Sequence, residues 1–299
     1  MDHLPSIRQL QYLVALAETG SFSAAALQCH VTQSTLSAGI AALEDLLGQQ
    51  LVDRSQRQIS LTSLGHETVN KARQIIEDAT AIVTRAQHIK RAPLSGPLRL
   101  GVIPTIAPYL LPRFLPNLCT RYPEMELQIH EDISSRLVTS LRQGTLDIVL
   151  MAFPYDMPGM TTRILFSEDF FVVSPKGFWG GRSSVKEKDL EGQSLLLLAE
   201  GHCLRDHALA ACRLSQPADH KLFSATSLPT LVQMVEHGYG ITLLPAMAVN
   251  YGPLSPKIDI ARLGPNAPQR DIGLAWRTGH PRAQEFELFA KALAQILSA

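Results

Sequence analysis

The sequence has few cysteines, no net charge and no long apolar run, and each absence excludes a class of protein. Four cysteines in 299 residues are too few for a disulfide-stapled scaffold, and none has the C-x-x-C spacing of zinc sites. The 27 basic and 27 acidic side chains cancel, so overall charge indicates no particular partner. Without a run of roughly 18 apolar residues or a basic, then apolar, start, we expect a cytoplasmic protein with no membrane span, secretory signal, metal or cofactor.

The composition that remains is that of an ordinary globular chain, with 45% hydrophobic and 18% charged residues. The length exceeds one compact core and predicts two domains joined by a linker. We predict an N-terminal domain over residues 1–61, a linker helix over 62–92 and a C-terminal domain over 93–299.

The first 60 residues have the pattern of a compact helical unit. Apolar side chains at helical spacing predict a first helix that Gly20 ends, and Ser21 or Ser23 caps a short second helix. Thr32 caps a third helix, which runs to about Leu47 and ends at Gly48. Its first exposed positions carry small polar side chains, suited to a helix end that enters the major groove: Gln33, Ser34 and Ser37.

The charge of this unit does not by itself favour DNA. A small hairpin predicted over residues 51–62 places Arg54 and Arg57 near its tip, where phosphates are met. However, residues 1–60 contain three basic and five acidic side chains, a net charge of −2. Residue types alone therefore leave two readings open, a DNA-binding helix-turn-helix and a three-helix bundle with no nucleic-acid role.

Residues 62–91 follow a heptad pattern, with small or β-branched side chains spaced alternately three and four apart: Val69, Ala72, Ile76, Ala79, Val83 and Ala86. This spacing predicts a dimer seam, and the alternative is a helix docked on its own domain. Pro93 and Pro97 then mark a hinge.

From Leu98 onward, short apolar runs alternate with helical segments, which predicts an α/β fold. The predicted strands are 98–103, 125–130, 146–152, 170–174, 194–199, 221–225, 241–244 and 271–277. The predicted helices are 109–122, 135–143, 206–214, 228–237 and 283–297. Ligands of such folds lie beyond the carboxyl ends of strands, which favours the loops at Thr105 and Thr226.

Two cysteines, Cys203 and Cys212, flank a predicted helix. A helix N-terminus, His202 and Arg205 are each expected to favour the Cys203 thiolate, which peroxide oxidises to sulfenic acid. If the segment is helical, nine steps place the two residues roughly 13 Å apart along the helix axis, whereas a disulfide needs Cα atoms within about 7 Å. A bond between them would therefore have to refold the segment. The alternative is two buried, inert core residues.

The chain from Arg8 to Thr62 carries F-S-A-A-A-L, T-Q-S-T-L-S-x-x-I-x-x-L-E, L-V-D-R and L-T-x-x-G, and it resembles the winged helix-turn-helix of LysR-type transcriptional regulators. The resemblance implies that Gln33, Ser34 and Ser37 face bases of double-stranded operator DNA, and that Thr32 and Arg54 contact its backbone. It also implies RNA polymerase as a partner and homotetramers built from dimers.

The C-terminal domain resembles the effector-binding half of the same regulators, which has the two-lobed fold of periplasmic binding proteins. The implied lobes are about 97–166 with 270–299, and about 167–269. The stretch L-L-L-L-A-E-G-H-C-L-R-D-x-A-x-x-x-C and the runs at 104–112, 225–231 and 240–246 are similar to peroxide-sensing members. They imply Cys203 as the peroxidatic residue and Cys212 as the resolving one. They place around hydrogen peroxide Thr105, Ser134, His202, Asp206 and Arg270, with Ser134 where relatives commonly have threonine.

Three hypotheses follow for function. The first is a transcriptional regulator that senses hydrogen peroxide through a Cys203–Cys212 disulfide. The second is a regulator of the metabolite-binding kind, in which Thr105 and Thr226 contact the carboxylate of an organic acid. The third, a thiol peroxidase, is disfavoured because an enzyme has no use for a DNA-reading module, and we predict that the protein is not an enzyme.

Overall fold

The computed structural model describes residues 4–53, 60–88, 93–211, 224–264 and 269–298. The predicted site residues Arg54, Arg57 and Cys212 lie outside these ranges. The chain divides into two compact units, Met1–Arg91 and Ala92–Ala299, each of which is described by itself.

The N-terminal unit contains three helices, a two-stranded hairpin and a long fourth helix. In chain order these are α1 (Ile7–Thr19), α2 (Phe22–Gln28), α3 (Gln33–Leu47), β1 (Val52–Asp53), β2 (Ser60–Leu61) and α4 (Ser63–His88). Their apolar faces meet in one core, built on Leu13, Leu16, Leu36, Ile40 and Leu43, all nearly inaccessible to solvent. The predicted amphipathic pattern therefore produces the predicted helical unit.

Two residues of the L-E and L-T-x-x-G motifs join α3 and α4 to the hairpin. The Glu44 carboxylate accepts hydrogen bonds from the amides of Leu51 and Val52 at 2.9 and 3.0 Å. Gly65 packs so closely that a Cβ atom there would lie 2.1 Å from the Leu51 carbonyl oxygen. Only glycine allows this close approach. The motif therefore fixes the position of the β1–β2 hairpin, the wing of this unit, against α4.

Part of the dimer seam predicted on α4 packs within its own unit. Val69 and Ala72 are buried in the core of their own unit, and Arg73 forms an ion pair with Glu18 of α1 at 3.3 Å. The early part of the stripe therefore docks on its own domain, as the alternative reading had it. Further along, Ile75 and Ile82 are exposed, and this part of the helix leaves an apolar face uncovered within the unit.

The C-terminal unit alternates strands and helices. Its strands are β3 (Gly96–Val102), β4 (Met125–Glu131), β5 (Ile148–Phe153), β6 (Met160–Pro175), β7 (Ser184–Val185), β8 (Leu197–Leu198), β9 (Ser224–Ala225), β10 (Thr242–Pro245), β11 (Ile258–Leu263) and β12 (Gln269–Arg277). Its helices are α5 (Ala107–Arg121), α6 (Ser134–Arg142), α7 (Cys203–Ala211), α8 (Leu228–Glu236), α9 (Ala246–Tyr251) and α10 (Ala283–Ser298), with a short 3-10 helix at Glu187–Leu190.

Strand β6 connects the two halves of this unit. Its first part, up to Asp169, pairs with β12 in the order β4-β3-β5-β12-β6, and its second part, from Phe170, pairs with β10 and β11. The chain thus passes from one sheet region to the other between Asp169 and Phe170. Helices cover these mixed sheets, and the predicted two-lobed α/β class is confirmed.

Several predicted boundaries were wrong. The strand predicted over 170–174 starts ten residues earlier, at Met160, because β6 extends into the other half. The helix predicted to begin at Asp206 begins at Cys203, so this cysteine lies in the first helical turn instead of the preceding loop. Strands β7 and β11 and helix α9 were not predicted.

Candidate functional site

Cys203 is the first residue of α7 and is 3% exposed. Its sulfur interacts with the hydroxyl of Ser134, the first residue of α6, and with the backbone amide of Ala152 in β5. Burial raises the pKa of the Cys203 thiol, while the Ser134 hydroxyl, the Arg270 charge and the Ala152 amide oppose that rise. The site therefore holds Cys203 as a thiol and surrounds it with groups that stabilise a thiolate once it forms.

The expectation that the surroundings make Cys203 a thiolate is thus wrong for this conformation. Burial lowers the pKa of His202, which is therefore neutral near pH 7 and supplies no cation. Arg205 donates to the Leu198 carbonyl at 3.3 Å and is not among the groups that shift the cysteine. Asp206, one turn along α7, adds a negative charge that raises the Cys203 pKa further.

The Ser134 side chain is 1% exposed, and its hydroxyl interacts with the Cys203 sulfur but with no nitrogen or oxygen atom within the described ranges. A thiol is only a weak hydrogen-bond partner, so most of the hydrogen-bonding capacity of this buried hydroxyl is unused. Because this oxygen faces the Cys203 sulfur, the unused hydrogen-bonding capacity lies where a molecule reacting with the thiol would bind.

Arg270 of β12 is fully buried and organises the hinge between the lobes. Its Nε and Nη2 atoms both lie 2.7 Å from Oε1 of Glu168, and its Nη1 atom donates to Thr105 Oγ1 at 3.1 Å. The second carboxylate oxygen of Glu168 accepts from the Met247 amide at 2.8 Å. The guanidinium is therefore fixed by partners from two different elements, and Glu168 extends the network to a third.

Tyr155 and His207 complete the surroundings of Cys203. Burial, the ionised form that Cys203 takes at high pH, and the Asp206 carboxylate raise the pKa of Tyr155. Burial lowers the pKa of His207, so its neutral ring donates from Nε2 to the Pro154 carbonyl at 2.9 Å. Sequence reasoning missed both residues, as well as Glu168, because no motif marks them and their partners lie far away in the chain.

A cleft of about 350 Å³ opens beside this site and is lined by both lobes. His202 and Thr226 line it, together with Pro104, Ile133 and Ala199. Its charged lining residues are Glu131, Asp132, Glu200 and Arg136, three carboxylates against one guanidinium. Thr105 is not in this lining; it is buried at 2% exposure and held by Arg270.

In the N-terminal unit, the predicted DNA-facing residues lie together at the start of α3. Thr32 is the N-cap, and its hydroxyl accepts from the Thr35 amide at 3.2 Å. Gln33, Ser34 and Ser37 follow it, and Gln33 and Ser34 are exposed while Ser37 is half-buried. The Gln33 amide oxygen accepts from Ser23 of α2 at 2.9 Å, which orients its side chain before any DNA is bound.

Two family models match the chain. Residues 7–66 match the bacterial regulatory helix-turn-helix of the lysR family, and residues 91–298 match the LysR substrate-binding domain. The chain belongs to the LysR family of transcriptional regulators.

Relatives match along nearly the whole chain. The HTH-type transcriptional regulator EstR of Acinetobacter baylyi is 40% identical, over 99% of this chain and 98% of its own length. A probable hydrogen peroxide-inducible genes activator of Streptomyces viridosporus is 41% identical, over 98% and 95%. A full-length OxyR variant of Pseudomonas aeruginosa superposes with a TM-score of 0.83 at 36% identity, covering 97% of this chain and 95% of that one. This LysR-family regulator therefore resembles OxyR in sequence and fold, and the helix-turn-helix assigns it a DNA-binding role.

No helix in the part of the chain that the structure describes is long and apolar enough to cross a membrane.

Proposed function

We propose that this LysR-family regulator senses hydrogen peroxide through Cys203. The observation that carries the proposal is the buried Cys203 thiol beside the buried Ser134 hydroxyl and the fixed Arg270 guanidinium. Hydrogen peroxide is small and neutral and both donates and accepts hydrogen bonds, so it can use the vacant capacity of Ser134. A relative with 41% identity carries the name of a peroxide-inducible activator, in keeping with this chemistry.

The reaction proceeds in two steps. The Cys203 thiolate attacks one peroxide oxygen, the O–O bond breaks, and the leaving hydroxide takes a proton to become water, leaving a sulfenic acid at Cys203. The Cys212 thiol then displaces this hydroxyl group, which forms the disulfide and releases a second water. Arg270 stabilises the thiolate and the departing oxygen, while Thr105, Ser134 and His202 orient the peroxide by hydrogen bonds and Asp206 receives or guides the proton.

Helix α7 turns this oxidation into a change of shape. Its ends, Cys203 and Ala211, lie eight residues and therefore about 12 Å apart along a helix. A disulfide tolerates at most about 7 Å between Cα atoms, and one more chain link spans only about 3.8 Å. A bond from Cys203 to Cys212 therefore requires α7 to unwind, which removes Leu204, His207 and Ala208 from their buried positions.

The competing function, binding of an organic acid in the cleft, is less compatible with its charge. The three carboxylates at Glu131, Asp132 and Glu200 repel an anionic effector, and Arg136 already lies 3.6 Å from Asp132. A neutral oxidant does not meet this barrier. Thr226, expected to hold a carboxylate in the competing reading, is instead proposed to line the path of peroxide.

On the DNA side, Gln33, Ser34 and Ser37 are proposed to read bases, with Thr32, Arg54 and Arg57 on phosphates. The exposed Ile75 and Ile82 support a dimer contact through residues 62–91. Dimers, paired further into tetramers, would re-space their DNA-binding units when α7 refolds, and so change recruitment of RNA polymerase.

The test uses tryptic peptides after exposure to substoichiometric peroxide and blocking of free thiols. Cleavage after Lys188, Arg205 and Arg213 puts Cys203 and Cys212 on separate peptides, and a linked pair of these peptides is expected. The exposed Cys119 is the internal control and is expected to oxidise more slowly. The proposal fails if no linked pair forms and Cys203→Ser leaves peroxide-dependent transcription unchanged.

A further inference from the structure

Glu168 occupies a position that no motif of the sequence marks. It lies on β6, directly opposite Arg270 of β12. The next residue, Asp169, is the last of β6 to pair with β12, and from Phe170 onward the strand belongs to the other lobe. Its side chain is 5% exposed, and that of Arg270 is fully buried. A buried carboxylate is retained only where its oxygens are satisfied, and here both are.

The two oxygens of Glu168 have separate tasks. Oε1 accepts a hydrogen bond from Nε of Arg270 at 2.7 Å and lies 2.7 Å from Nη2 in the ion pair. Nη1 then donates to Thr105 Oγ1 at 3.1 Å, and Nη2 donates to the Thr105 carbonyl at 3.4 Å. Oε2 accepts from the Met247 amide in the first turn of α9. Glu168 thus fixes the rotation of the guanidinium and anchors the second lobe to it.

The charge of Glu168 matters as much as its geometry. Arg270 is the cation that acts on the Cys203 sulfur, and it carries a carboxylate in direct contact. This partner cancels part of the positive potential that would otherwise favour the thiolate. We propose that Glu168 is a positioning residue that sets the reactivity of Cys203 through Arg270, by holding the guanidinium toward Thr105 and by neutralising part of its charge.

This inference rests on the proposed role of Cys203 as the reacting thiol. The charged and titratable groups that face Cys203 are Arg270 from β12, Asp206 from α7 and Tyr155 from the loop after β5. His207 of α7 responds to Asp206 and Arg270 as well. Among these, Glu168 contacts only Arg270 in the interactions described, so its replacement changes the field at the sulfur through that residue.

The experiment measures alkylation of Cys203 in the full-length protein by iodoacetamide from pH 6 to about 11, a range that extends above the raised pKa of the wild-type thiol. The peptide of residues 189–205 contains a single cysteine, which makes the readout specific, and Cys119 supplies an internal reference. In Glu168→Gln the uncompensated guanidinium favours the thiolate. The alkylation midpoint is expected to move to lower pH, with a rate at pH 7 on the order of tenfold higher, the equivalent of one pKa unit.

Two further variants separate charge from position. Glu168→Asp keeps the negative charge but shortens the side chain, which withdraws the carboxylate from Arg270. The alkylation midpoint of Cys203 should therefore stay at the wild-type pH, while oxidation of Cys203 by peroxide slows several-fold. Asp169→Asn makes the same charge change one residue along, at an exposed carboxylate bonded to Gln269 at 2.7 Å, and should change neither readout.

The proposal is overturned if Glu168→Gln retains the wild-type midpoint, or if Asp169→Asn moves it equally. Circular dichroism checks folding; should Glu168→Gln not fold, Glu168→Asp decides, and unchanged peroxide oxidation in that variant overturns the proposal. Alkylation involves neither peroxide nor DNA. A wild-type protein with no peroxide response would therefore refute the proposed function without moving these midpoints.

Discussion

The Nη1 atom of Arg270 donates a hydrogen bond to the hydroxyl of Thr105 over 3.1 Å, and neither residue is more than 2% exposed. Thr105→Val keeps the shape of the side chain and removes the acceptor. We expect a loss of about 1–3 kcal/mol in unfolding free energy, from the unsatisfied buried donor, and slower oxidation of Cys203. Urea denaturation and peptide-level oxidation measure the two effects. Thr162→Val, at an exposed position of β6, is the control, and equal losses in both variants would contradict this account.

The reactivity of Cys203 should rise steeply with pH. Burial raises the pKa of its thiol, so only a small thiolate fraction exists near neutrality, and that fraction grows about tenfold per pH unit below the pKa. Initial rates of Cys203 oxidation by excess peroxide should therefore climb from pH 6 to pH 8 without a plateau. A rate already constant below pH 7 would mean that the thiolate is the resting form.

Acid should destabilise the C-terminal unit through His207. Burial depresses the pKa of this ring in the folded protein, so the unfolded chain binds a proton near pH 6.5 that the folded one refuses. The stabilising contribution is complete above that pH and is lost as the pH falls below it. Thermal melts between pH 5 and 7.5 should show this loss, and His207→Gln should reduce the slope. The pKa of His202 is also lowered by burial, so this residue makes stability depend on pH in the same direction. Part of the slope of stability against pH therefore remains in the His207→Gln variant.

Gln33 is expected to carry sequence discrimination. Its exposed side chain lies at the start of α3, already oriented by Ser23. Gln33→Ala should weaken operator binding by roughly 1–3 kcal/mol and leave affinity for random duplex unchanged. Gel-shift titrations with both DNAs provide the measurement. Gln49→Ala, beyond the end of α3, is the matched control; an equal loss on both duplexes would place Gln33 on the phosphates instead.

Gly65→Ala should unfold or displace the wing. The added Cβ would lie 2.1 Å from the Leu51 carbonyl oxygen, and this steric clash could be removed only by a movement of the backbone. Such overpacking costs typically about 1–3 kcal/mol or more, and DNA binding should fall with it. The exposed neighbour Ser63, changed to Ala, supplies the comparison. A Gly65→Ala protein with wild-type melting and DNA affinity would show that the close approach is not required.

The sequence predicted best those elements whose signal is local. Helix α3 shows its cap at Thr32 and its stop at Gly48, and both appear in the structure. Strand β6 was half missed, because Met160–Asp169 is only partly buried and so lacks an apolar pattern. The pair of Glu168 with Arg270 spans 102 residues and has no sequence signature. Arg270 itself was named only through the family resemblance, and the raised pKa of Cys203 depends on packing that composition does not reveal.

The carboxylates around the cleft have a consequence for which oxidants reach the sulfur. Glu131, Asp132 and Glu200 give a shared negative charge to the described cleft that His202 lines. An oxidant that is an anion at neutral pH is repelled before contact, whereas uncharged hydrogen peroxide is not. The cleft would then act as a charge filter. Added salt should narrow the difference between the two classes of oxidant, because it screens the carboxylates without altering the thiol.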